Sequence, residues 1–176
     1  MFYKEEFKNH ELTTLVENNK IQAYRVAAPN SSIMSFYLTF LPCGIGISGD
    51  ITPNRNGVWS SKSYDKDWFL KRRSPDYLCE KFLEKVFIID NAVEEILDLE
   101  LSVDKEEDRQ YIIAELKGGE MSEEKLYDEL SSLLGIYDYF GIGYDYDDVE
   151  KEILVSIQYK FKELYEKYEI ECKVST

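Results

Sequence analysis

A chain of 176 residues, 44% of them hydrophobic and with a formal net charge of −14, has enough apolar mass for a core and is not globally disordered. Its three cysteines, Cys43, Cys79 and Cys172, lack CxxC spacing and its one histidine is His10, which argues against a structural zinc site and for free thiols in a reducing compartment. No apolar signal core opens the sequence and no apolar run reaches membrane-spanning length, so a soluble, cytoplasmic protein is expected.

In chain order, Phe7 to Val16 is a polar segment with apolar anchors at Phe7, Leu12, Leu15 and Val16, and Asn18-Asn19 marks a turn. Ile21 to Ala28 alternates loosely and reads as a strand. Ser32 to Asp50 organises the rest. Ile33, Phe36, Tyr37, Leu38, Phe40 and Leu41 form an apolar, aromatic run, Pro42-Cys43-Gly44 punctuates it, and Ile45 and Ile47 alternate with Gly46 and Ser48. This predicts a hairpin of two buried strands, with a close backbone neighbour on the bare glycine face. Thr52 to Gly57 is turn-rich, and Val58-Trp59-Ser60 suits one more short strand.

Ser74-Pro75 predicts a helix start, with a hydroxyl N-cap and Pro at the first helical position, and Leu78, Phe82 and Val86 form its stripe. Lys71, Arg72, Arg73, Lys81 and Lys85 make the one basic neighbourhood. A helix is expected over 90–101. A second follows the capping-box spacing of Asp104 and Glu107, and a third is capped by Ser122. The 135–148 segment interleaves aromatics, glycines and carboxylates. It feeds a long helix with a stripe at Val149, Ile153, Ile157, Phe161, Leu164 and Tyr168, and Asp147 with Glu150 again fits a capping box.

The fold class is therefore α+β: an N-terminal antiparallel sheet of three to four strands packed by a helix, followed by an acidic helical lobe. The expected division is 1–89 and 90–176, with one continuous domain as the alternative. The charge divides with it, since residues 1–89 hold 12 Lys and Arg against 10 Asp and Glu, whereas residues 90–176 hold 9 against 25. An acidic field repels nucleic acid and steers basic partners. Asp138, Asp145, Asp147, Asp148 and Glu150 also supply the hard oxygens that Mg²⁺ or Ca²⁺ takes, but without EF-hand spacing. N-capping and negative charge at a helix start explain the same residues. No nucleophile signature surrounds a Ser or Cys, so catalytic residues are unassigned, and no metal or cofactor is expected.

Within residues 7–85, five pieces occur in order: Phe7-Lys-Asn-His-Glu-Leu12, Ser35-Phe36 with its strand, Gly44-Ile-Gly-Ile-Ser-Gly-Asp50, Asp67-Trp-Phe-Leu70 and Ser74-Pro-Asp-Tyr-Leu-Cys-Glu-Lys81. In these the chain resembles small phage and prophage proteins, and with the acidic second half it resembles a type II anti-CRISPR, an inhibitor of Cas9. The resemblance implies action in the bacterial host cytoplasm and supplies no catalytic residues. The expected function is inhibition of a CRISPR–Cas9 effector, by binding it or its guide-RNA complex through an acidic, nucleic-acid-mimicking surface. The alternative is a metal-dependent nuclease or a trigger of guide-RNA cleavage. The partner-binding residues expected are Tyr137, Asp138, Tyr139, Tyr144, Asp145, Tyr146, Asp147 and Asp148, with the tyrosines as anchors and the carboxylates setting the on-rate.

Overall fold

The computed structural model describes residues 3–42, 44–51, 58–62, 64–71, 74–135 and 141–174. The order is α1 (Tyr3–Glu6), β1 (Glu11–Glu17), β2 (Gln22–Ala27), β3 (Phe36–Leu41), β4 (Gly44–Gly49), β5 (Val58–Ser61), α2 (Lys66–Leu70) and α3 (Pro75–Phe82). Then come β6 (Val86–Phe87), α4 (Ile89–Leu97), α5 (Glu106–Gly118), α6 (Glu123–Ser132), β7 (Tyr144–Asp145) and α7 (Asp148–Val174). An N-terminal antiparallel sheet followed by helices makes the chain α+β.

The chain forms two compact units, residues 1–84 with 147–176, and residues 85–146. The division does not follow the charge boundary at residue 90, because the long acidic helix α7 packs on β1, α2 and α3 of the sheet-bearing unit. Its buried stripe is the reason. Ile153, Leu154, Ile157, Phe161 and Tyr165 need an apolar surface, and the sheet provides one.

That sheet is an antiparallel meander in the order β1-β2-β3-β4-β5. Side chains alternate across it, so Tyr24, Val26, Phe36, Leu38, Phe40, Ile45 and Ile47 are all buried. The hairpin expected at Ser32 to Asp50 is β3 and β4, with Phe36 opposite Gly49 and Leu41 opposite Gly44. The close backbone approaches fall at the two ends of β4, at Gly44 and Gly49, rather than at Gly46 in the middle of the bare face. A Cβ on Gly49, whose φ is +142°, would lie 2.3 Å from the Ser35 carbonyl oxygen, and one on Gly44 would lie 2.8 Å from that of Ser61.

The sheet has five strands, more than expected, because Glu11–Glu17 is a strand. Its register shifts between Thr14 and Val16, and that bulge breaks the period-two pattern by which a strand is recognised. Ser74 caps α3 through its hydroxyl, which accepts from the Tyr77 amide at 3.3 Å. The expected stripe stops early. The helix ends at Phe82, so Val86 is exposed in β6 rather than buried.

In the second unit Ala92, Val93, Ile96, Ile112, Ile113, Leu116, Met121, Leu126, Leu130 and Leu134 form one core. The helix expected over 90–101 is shorter, ending at Leu97. Asp104 does not cap α5, since it sits in a 3₁₀ turn over Val103–Lys105 that leads into that helix. Ser122 does cap α6, accepting from the Lys125 amide at 3.2 Å.

Candidate partner-binding surface

Three of the expected binding residues, Tyr137, Asp138 and Tyr139, lie outside the described residues. The other five fall on either side of the unit boundary, with Tyr144, Asp145 and Tyr146 in the second unit and Asp147 and Asp148 in the first. Tyr144 is half-buried. Its hydroxyl donates to Glu123 and its ring meets Phe87 edge-on with centroids 5.9 Å apart. That carboxylate first, then burial, pushes the Tyr144 phenol well above its usual range. Asp145 accepts from the Tyr146 amide at 2.7 Å, and the Lys85 ammonium lies 5.6 Å from the Tyr146 ring centroid.

Asp147 is exposed and N-caps α7, its carboxylate accepting from the Glu150 amide at 2.9 Å. Burial, then the Asp147 charge, raises the Glu150 carboxyl above the usual carboxylate range. Asp148, also exposed, lies 3.7 Å from the Lys151 ammonium. The capping spacing read in the sequence is therefore realised at Asp147 and Glu150. Among the described residues no group of three or more His, Cys, Asp and Glu side chains is placed to hold a metal ion.

The charge follows the units. Residues 85–146 carry 17 Asp and Glu against 5 Lys and Arg, whereas the rest of the chain carries 18 against 16. Ion pairs among the described residues of the second unit include Arg109 with Glu106 at 3.1 Å, Lys105 with Asp108 at 3.7 Å and Lys125 with Glu115 at 3.1 Å. Exposed carboxylates also stand in rows. Asp90, Glu94 and Asp98 follow one another at intervals of four along α4 and its C-cap, all exposed, and Glu124 and Asp128 do the same on α6. At about 1.5 Å rise per residue, each interval sets successive carboxylates about 6 Å apart along one helix face. Reading the sequence by halves missed these rows, although the four-residue spacing was there to be read.

Comparison with known proteins finds no matching family model, no matching curated protein and no matching solved structure.

Proposed function

We propose that the protein acts by binding, with the acidic unit of residues 85–146 docking on a basic, nucleic-acid-binding channel of a protein partner. The observation that carries this reading is the concentration of 17 acidic against 5 basic residues in one small helical body with its own core. A rigid body presents its carboxylates in fixed rows, so it competes with phosphates for a Lys/Arg-lined channel at low conformational cost. The resemblance of residues 7–85 to phage proteins makes a Cas9-type effector the partner to try, either free or loaded with guide RNA. Inhibition then follows from occupying the channel that nucleic acid must enter. This reading requires no bond-making step of the chain.

The test is capture of Cas9, with and without guide RNA, across a salt series. Binding that weakens steeply with salt and is reduced by the triple variant Asp90→Asn, Glu94→Gln, Asp98→Asn supports the proposal. Absence of capture at low salt in both states removes it. Shortened guide RNA in the same incubations, dependent on Mg²⁺, would replace it with cleavage.

A further inference from the structure

The outer face of the sheet has no part in the acidic unit's proposed role, and its composition differs from that of the rest of the chain. Its inner face is buried, but on the other side Tyr37 stands on the central strand, flanked in register by Arg25 on β2 and Ser48 on β4. The next row across the sheet reads Val16, Ala23, Thr39, Gly46 and Ser60. Tyr37 is 37% exposed, and Ser60 and Lys62 are exposed too. Between β3, β4 and β5 lies a depression of about 350 Å³, lined by Thr39, Leu41, Gly44, Gly46, Ser60 and Lys62. In a chain with 35 acidic residues these two rows contain none; beyond the Tyr37 row stand Glu11, opposite Ala27, and the exposed Asp50, which accepts from the Ser35 hydroxyl at 3.3 Å.

We propose that this face binds single-stranded nucleic acid. Three features point to that chemistry. The central tyrosine offers a π-face to a base, and aromatic rings on an open antiparallel sheet are a recurring platform for unpaired bases. The small side chains around it leave a flat floor on which a planar ring can lie. The cations are placed for phosphate: Lys62 rims the depression, and Arg25, which gives one N–H to the Ser31 carbonyl oxygen at 2.7 Å, keeps further donors of its fork. Nothing on the two rows repels a phosphate, and the carboxylates of other surfaces are screened beyond about 10 Å at 0.1 M salt. The occupant is a polyanion that carries flat aromatic rings, which a strand of nucleotides is.

Anisotropy of end-labelled oligouridylate and oligothymidylate of equal length, with a duplex as control, tests this on the full chain. Both single strands bind and the duplex binds more weakly; binding of only one of the two assigns the face to RNA or to DNA. Tyr37→Ala weakens binding at least about fivefold whereas Tyr37→Phe retains it, because stacking uses the ring. Lys62→Gln lowers the slope of log affinity against log salt by about 0.7, the single-strand value for one phosphate. Circular dichroism of each variant confirms that the sheet is intact, and if Tyr37→Ala fails to fold, the Lys62→Gln slope decides. No anisotropy change at low salt overturns the proposal. So does binding to which neither Tyr37→Ala nor Lys62→Gln makes any difference. Self-association of the wild type that Tyr37→Ala abolishes, without oligonucleotide binding, assigns the face to a second copy and likewise overturns it. The measurement uses oligonucleotide alone, so its outcome is independent of capture of Cas9 by the acidic unit.

Discussion

Phe161 is the side chain through which the long helix holds the sheet. It is fully buried, with ring centroids 5.3 Å from Tyr24, 5.5 Å from Phe40, 6.1 Å from Phe69 and 5.6 Å from Tyr165. Phe161→Ala removes all four aromatic contacts and leaves a cavity, so it is expected to cost about 3–5 kcal/mol, read as a lower urea midpoint. Tyr24 makes a second, pH-dependent prediction. Burial first, then its hydrogen bond to Glu17 at 3.0 Å, raises its phenol far above the ordinary value of 10.0. The folded state therefore favours the neutral phenol. The stability this gives is complete below about pH 10 and is lost as pH rises above it. Spectrophotometric titration of the native protein should find a tyrosine that resists ionisation until the chain unfolds, and Tyr24→Phe should flatten the alkaline loss of stability.

The helices and strands keep their local signals wherever a short-range hydrogen bond decides the matter. Ser74 and Ser122 satisfy amides three residues on, and Ser74→Ala is expected to cost about 1 kcal/mol in a denaturation experiment. The two-stranded ribbon of β6 and β7 is different, since Val86 pairs with Asp145 across a large loop that no local rule connects. Gly143, just before β7, has φ +76°, and a Cβ there would lie 2.7 Å from that of Ala92 and 2.8 Å from the Phe87 ring. Gly143→Ala therefore combines backbone strain with a clash, and a loss of about 1–3 kcal/mol is expected. Stability of the isolated fragment 85–146 with and without the change measures it.

For the whole molecule, the β6–β7 ribbon holds the two ends of the acidic unit side by side, in the manner of an inserted domain. Replacing residues 85–146 with a short Gly/Ser link should then leave a folded, nearly neutral sheet protein. Truncation after Tyr146 should not fold, because it removes α7. Far-ultraviolet circular dichroism and thermal melting separate the two outcomes. On the proposed function, the deletion variant loses salt-dependent capture of the partner while its sheet face keeps oligonucleotide binding. Loss of both together, in a protein that still folds, would place the two activities on one surface.

The α+β class, the central hairpin, the caps at Ser74, Ser122 and Asp147, and the middle of the α7 stripe at Ile153, Ile157 and Phe161 were legible in the residues, because each depends on neighbours at most a few positions apart. So was the excess of carboxylates in the second half. Val149, expected in the α7 stripe, is exposed, whereas Leu154 and Tyr165 are buried in it. The fifth strand was hidden by its bulge, and the end of α3 by an apolar residue, Val86, that continued the helical spacing into a strand. Two matters belonged to the tertiary structure alone. One was the packing of α7 on β1, a strand that precedes it by more than a hundred residues, which gathers the acidity into residues 85–146 instead of spreading it over the whole second half. The other was the face that Tyr37, Arg25 and Lys62 share: three residues from different parts of the chain come to one side of the sheet only when four strands lie in register, and register is a property of the assembled sheet.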